Sequence, residues 1–216
     1  MHGSTVRLRK TIHHPMPIQS REQLRSLYQP PAERAVRKEL THIDHHIERF
    51  ISLSPFLVIA SGSAEQQMDA SPRGGMPGFV KVPDERTLLI PDSPGNNRLD
   101  TLENILDTRQ VGLLFFIPGF DEMVRINGQA TLESDEDLLG RFQEMRNKPR
   151  LVIRVSVHSA YMHCAKAAMR GALWSPDYRQ DRSVMPVMGQ LIKDHAGLDG
   201  AAETQADMLK RYEKEL

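Results

Sequence analysis

The 216 residues contain one cysteine, Cys164, so no disulfide closes within a chain and a reducing compartment suits it. No apolar run approaches the roughly twenty residues a membrane helix needs. The opening MHGSTVRLRKTIHHPMPIQS has no apolar core to serve as a secretory signal. Net charge is missing too: 28 Lys and Arg balance 28 Asp and Glu. Without a basic face, general nucleic-acid binding is disfavoured. There is no CxxC pair, Ser-His-Asp arrangement or set of paired acids, so no side chain is assigned as catalytic. His42, His45 and His46 fall within one helical pattern, yet no Cys, Asp or Glu completes a shell, and they read as helix-surface histidines rather than a metal site. These absences leave a soluble, cytoplasmic protein long enough to bury a substantial core.

What the sequence does have is the stretch 69–106, with two polar, Gly/Pro-rich corners at 71–75 and 92–98. Between the corners, the apolar runs 78–82 and 87–90 predict a tight antiparallel ribbon. After the second corner, Leu99, Leu102, Ile105 and Leu106 recur at helical spacing, which puts Arg98 near a helix start. A helix start offers unpaired N–H groups and partial positive charge, and Asn96, Asn97 and Arg98 add donors. Ser71 and Arg73 reach the same point from a neighbouring strand end. The expectation is an oxyanion pocket, for a phosphate above all. On local sequence alone, each arginine reads equally well as a turn-flanking surface residue.

Around that stretch, residues 1–19 read as an arm, 20–177 as the main domain and 178–216 as a helical extension. Ser20 caps a short helix, and Pro30-Pro31 opens a second whose stripe of Val36, Leu40, Ile43, Ile47 and Phe50 predicts one continuous element. Residues 55–60 and 111–117 read as buried strands, and 67–71 as a strand delivering Arg73. Residues 123–132 alternate, with Val124, Ile126, Gly128, Ala130 and Leu132 on one face and Met123, Arg125, Asn127, Gln129 and Thr131 on the other. A helix is expected over 134–145, then a strand from 151 to about 158–161, then a helix over 162–173. Arg146, beyond the 134–145 helix, is expected to stand apart from the phosphate pocket. Six or so strands with peripheral helices make the fold mainly β.

The segments SPRG, PGFV, TLLIPDSPGNNRLDTLENIL, VGLLFFIPG and VRINGQA resemble the FMN-binding split-barrel family of pyridoxamine-phosphate oxidase-like proteins, over roughly 18–177. The resemblance implies an FMN-binding split β-barrel and a homodimer with FMN at the subunit interface. It implies that Arg73 and Arg98 clamp the phosphate, that Ser71, Asn96, Asn97 and Thr101 add hydrogen bonds, and that Pro72 and Gly74 let backbone approach the isoalloxazine. Asp92 either accepts from a ring N–H or caps its own turn. Met123 and Arg125 belong to the strand that, in the family, reaches the flavin of the other subunit. KAAMRGALW resembles a segment in one branch of the family, so Lys166, Arg170 and Trp174 border the flavin or an anionic substrate, or form an ordinary amphipathic helix.

One departure matters. The family's true oxidases grip substrate with a C-terminal Arg-x-His pair, and their first phosphate-contacting strand ends in lysine. Here Arg73 is followed by Gly-Gly-Met-Pro-Gly, and Trp174 by SPDYRQDRS. The vitamin substrate is therefore not implied. The expected function is an FMN-dependent oxidoreductase acting on an unidentified small molecule. The alternatives are a non-catalytic flavin sensor or carrier, or a haem-handling relative with His158 or His163 as axial candidates.

Overall fold

The computed structural model describes residues 17–93 and 95–214; the expected N-terminal arm lies, up to residue 16, outside them. The chain divides into two units at residues 37 and 38. In the first, Ser20 caps α1 (Arg21–Ser26), its hydroxyl accepting from the Gln23 N–H at 3.2 Å, while Gln23 Oε1 accepts from the Gln19 N–H at 2.8 Å. α2 (Glu33–Arg37) follows, and neither helix has a buried residue.

The second unit is built on one seven-stranded antiparallel sheet. Its strands are β1 (Phe56–Gly62), β2 (Met68–Gly74), β3 (Lys81–Asp84), β4 (Thr87–Pro91), β5 (Gln110–Phe116), β6 (Met123–Glu133) and β7 (Val152–His163), in spatial order β2-β1-β5-β6-β7-β4-β3. The sheet does not close. Each of its two edge strands carries a proline, Pro72 and Pro83, which removes an N–H that could pair with another chain. Leu57, Ile59, Leu113, Phe115, Val124, Ile126, Ile153 and Val155 are all at most 2 % exposed and form the core. α3 (His45–Leu53) adds Ile47, Phe50 and Ile51 to that core, and α4 (Asp100–Thr108) adds Leu102 and Ile105.

The stripe from Val36 to Phe50 is not one helix. Leu40 leaves helical geometry and exchanges backbone hydrogen bonds with Ala160 of β7, at 3.0 and 2.8 Å, while the Ile43 N–H donates to the Glu85 carbonyl at 2.7 Å. Asp44 then starts α3 afresh, its carboxylate accepting from the Ile47 N–H at 2.9 Å. Sheet bonding and a strong cap override the helical period here. β7 runs further than its alternation implies. Asn127 faces Ser159 and Gly128 faces Val157, so His158 is the extra residue of a bulge, and the buried set jumps from Val157 to Ala160. A Cβ on Gly128 would collide with the Ser156 carbonyl, which is why that position is glycine.

The helix expected over 134–145 shortens to α5 (Glu136–Leu139) and a 3-10 turn, Gly140–Phe142. Asp135 is its cap, accepting from the Asp137 and Leu138 N–H groups. Phe142 is fully buried against Leu89 and Val152, pinning this segment to the outer face of the sheet. Met162 and His163 belong to β7, so the next helix, α6, spans only Lys166–Gly171. α7 (Met188–Ala196) and α8 (Gln205–Tyr212) complete the chain. No helix among the described residues is long and apolar enough to cross a membrane.

Candidate functional site

β2 and the start of α4 meet at the corner on which the sequence centres. α4 is held against β1 by two polar contacts: Asn104 Nδ2 donates to Ser61 Oγ at 3.0 Å, and Thr108 Oγ1 donates to the Gly62 carbonyl at 2.8 Å. Leu99 occupies the cap position of α4 and has no oxygen to offer, so no side chain caps the helix. Its first-turn N–H groups are thus left for another acceptor. On the strand side, Gly75 lies so close beneath Phe79 that a Cβ would come within 2.7 Å of the Phe79 Cβ. Only glycine lets the ring seat there.

These elements wall a cleft of about 1090 Å³, which Ser71, Pro72, Arg73, Gly74, Asn96, Arg98 and Thr101 all line. Asp92 and Asn97 line an adjoining cavity of about 420 Å³ that shares Arg73, Asn96, Arg98 and Thr101 with the first. The nine corner residues singled out in the sequence are therefore neighbours in space. Asn97 adopts the left-handed region, at φ 57°, a conformation asparagine tolerates better than most residues.

The two arginines are held differently. Arg73 is half-buried and donates from one terminal nitrogen to the Pro72 carbonyl at 2.9 Å, while its Nε is buried without a hydrogen-bond partner. Arg98 is more open, its side chain 75 % exposed, and it pairs with Asp100 at 3.0 Å. Asn96 Oδ1 accepts from the Arg98 N–H at 2.9 Å, fixing the turn before the helix. Asp92 is half-buried. Burial raises its pKa above the ordinary 3.8, and the positive charges of Arg73 and Arg150 oppose that rise.

Asp69 is a member of the site that attention to the arginines passes over. One of its carboxylate oxygens accepts from Ser71 Oγ at 2.9 Å and from Thr101 Oγ1 at 2.5 Å, tying β2 to α4. An ionised carboxylate only accepts, and a hydroxyl has one proton. While these bonds last, Ser71 and Thr101 have only lone pairs for a ligand. The signal was available: Asp69 and Ser71 are two apart on a strand and so share a face.

The opposite wall of the larger cleft comes from elsewhere in the chain. Glu144, Met145, Arg146 and Asn147 follow the Gly140–Phe142 turn, and Arg211 and Tyr212 end α8. Arg146 is thus part of the cleft lining, against the expectation that it stands apart. The cause is Phe142, whose burial against the sheet brings the following segment back over the corner. Nothing in local sequence signals this.

Met123, Arg125, Lys166, Arg170 and Trp174 do not line either cavity. Met123 opens β6 and is buried, paired with His163 at the end of β7. The Arg125 guanidinium lies 5.9 Å from the centre of the Tyr161 ring. Lys166 and Arg170 are exposed on α6, and Trp174 Nε1 donates to the Phe120 carbonyl at 2.7 Å. His158 is exposed at the bulge, and His163 lies beside the Tyr161 ring at 6.2 Å. No group of three or more potential metal ligands occurs among the described residues.

Several solved structures are similar to the chain. HupZ of Group A Streptococcus is 16 % identical over 56 % of this chain and 93 % of its own, with a TM-score of 0.47. General Stress Protein 26 of Bacillus anthracis is 14 % identical over 54 % and 93 %, with a TM-score of 0.40. An FMN-binding protein of Syntrophomonas wolfei is 7 % identical over 53 % and 78 %, also at 0.40. No curated protein matches the chain. A family model described as pyridoxamine 5'-phosphate oxidase matches residues 43–164, more than half of the chain. That span runs from Ile43, just before α3, to the residue after β7 and takes in the whole sheet and the corner of Arg73, Asp92 and Arg98. The chain belongs to the pyridoxamine 5'-phosphate oxidase family.

Proposed function

We propose that the chain binds FMN in the corner cleft and, as a cytoplasmic homodimer, acts as an oxidoreductase on a small molecule. The observation that carries this reading is Arg73, whose Nε is buried without a partner beside a cleft that Arg98 also lines. Leaving a buried guanidinium N–H unpaired is costly, and a phosphate is the acceptor that suits it best. The open N–H groups of α4 suit the same phosphate.

The other residues divide the work by their chemistry. Arg73 and Arg98 hold the phosphate. Ser71 and Thr101, already donating to Asp69, accept from the ribityl hydroxyls. Gly74 and Pro72 leave room for backbone beside the ring, and Asp92 accepts from a ring N–H. When bound, the flavin supplies hydride transfer, and the chain supplies position and positive potential. No side chain is assigned as acid or base.

Met123, Arg125, Lys166, Arg170 and Trp174 enter this reading through a second copy, so that each site draws on both chains. Phe56 and Phe120 are exposed, apolar surface that a second copy would cover in this reading. The test is an absorption spectrum of the purified protein, followed by chromatography of whatever it releases on denaturation. FMN is the expected result. FAD or a haem spectrum contradicts the reading, and steady-state assays with candidate reductants then separate an enzyme from a carrier or sensor.

A further inference from the structure

Asp69 lines neither cavity, yet the two hydroxyls it holds do: Ser71 lines the larger cleft and Thr101 lines both. Whatever Asp69 does for a ligand, it does through them. Its hold is built into the fold. Asp69 and Ser61 face each other across β2 and β1. One turn apart on α4, Thr101 donates to Asp69 and Asn104 donates to Ser61. Ser61, Thr101 and Asn104 are 1 %, 3 % and 8 % exposed, so water competes little for these bonds. Ser71, two residues along β2 and on the same face, completes the group at 2.9 Å.

A hydroxyl has one proton to give. With both protons committed to one carboxylate oxygen of Asp69, Ser71 and Thr101 turn only lone pairs toward a ligand. The donors of the corner lie elsewhere, in Arg73 with its buried, unpartnered Nε, in Arg98, and in the uncapped N–H groups of α4. The corner is therefore divided by polarity. Donors that suit a phosphate stand beside acceptors that repel phosphate oxygens and suit the hydroxyls of a neighbouring chain.

We infer that Asp69 is a positioning residue that sets this polarity: by taking the protons of Ser71 and Thr101, it makes the corner select a phosphate carried next to a hydroxyl-bearing chain. The inference rests on the flavin reading and deepens it, from a pocket for phosphate to one for a polyol monophosphate. It also assigns the direction in which such a ligand lies, phosphate toward the arginines and hydroxyls toward Ser71 and Thr101.

The experiment titrates riboflavin and inorganic phosphate separately into the full chain and three variants. Riboflavin carries the hydroxyls without the phosphate, and inorganic phosphate is the converse. Ser71→Ala removes an acceptor, so riboflavin should weaken about three- to tenfold while phosphate stays within about twofold. Asp69→Asn supplies an amide that can itself donate to a hydroxyl and so frees a hydroxyl proton; phosphate should tighten about threefold or more and riboflavin weaken about threefold. Asp100→Asn removes a carboxylate that pairs with Arg98 and holds neither hydroxyl. It should tighten phosphate and leave riboflavin alone.

Opposite shifts for the two ligands at Asp69→Asn uphold the inference, because loss of a merely structural tie weakens both. The inference is overturned if Asp69→Asn weakens both ligands, or if Asp100→Asn reproduces the riboflavin loss, which would leave charge as the cause. Should Asp69→Asn fail to fold, Ser71→Ala decides: a phosphate loss equal to the riboflavin loss means that Ser71 donates to phosphate, and the inference falls. If wild type takes phosphate but neither riboflavin nor FMN, the flavin reading fails. A larger phosphate gain in Asp69→Asn than in Asp100→Asn then still upholds the role of Asp69, and an equal gain overturns it. A chain that binds neither phosphate nor flavin overturns both.

Discussion

The two walls of the cleft are built by opposite means. The corner wall is made from β2 and α4, whose side chains are locked by buried or half-buried contacts: Asn104 to Ser61, Thr108 to Gly62, and Asp69 to Ser71 and Thr101. The far wall is made from the 144–147 segment and the end of α8. Beyond Phe142 and Met208, it is held by exposed pairs such as Arg211–Glu203 and Lys81–Glu144. Exposed ion pairs add little to stability because water and salt screen them. The corner is therefore held by contacts made with the sheet itself, and the far wall chiefly by pairs that water screens.

The largest effect that would break this comparison is on stability. Ile105 joins α4 to the core and is 1 % exposed. Ile105→Ala should cost about 2–5 kcal/mol, and chemical denaturation should show it as a lowered midpoint. Met208 is the one buried residue of α8. Met208→Ala should instead speed hydrogen exchange in α8 and lower the global midpoint far less. Equal global losses would mean that the walls are equally integral.

Next come the two corner arginines. Arg73 is half-buried with a free Nε, so Arg73→Ala should remove charge-assisted bonds worth about 1.5–3 kcal/mol. FMN affinity should then fall by about ten- to a hundredfold. Arg98 is mostly exposed and already paired with Asp100, so Arg98→Ala should cost less, a few-fold to about tenfold. Fluorescence titration ranks the two, and a larger loss at Arg98 would reverse the assignment.

A smaller effect lies at Asp92. Its folded pKa is raised, chiefly by burial, so the folded chain holds this proton more tightly than the unfolded chain does. The stabilisation is complete below the ordinary value near 3.8 and is lost as pH rises through the folded value. Asp92→Asn should therefore flatten the fall in stability over that window. An unchanged slope would mean that Arg73 and Arg150 fully offset the burial. The smallest effect belongs to Glu203→Gln, which should leave the melting temperature unresolved from wild type.

How much of this was legible in the sequence follows the same division. The alternation of β6 and the helical spacing after Arg98 are local patterns, and the structure bears out the elements they predict. Patterns fail where a distant strand intervenes: Leu40 bonds to β7 instead of continuing a helix, and His158 is absorbed as a bulge. For the site, turn chemistry and strand period bring Arg73 and Arg98 to one corner. They are silent on Arg146, which reaches the cleft only because Phe142, four residues earlier, is buried against Leu89 and Val152.

On the proposed reading, the corner recognises a phosphate through Arg73. The most direct measurement is a titration of FMN and of riboflavin, which lacks the phosphate, into wild type and Arg73→Ala. A ten- to a hundredfold loss is expected for FMN, about one to two decades at about 1.4 kcal/mol each, with riboflavin affinity unchanged. Equal losses for both flavins would contradict it, because Arg73 would then be supporting the ring or the fold.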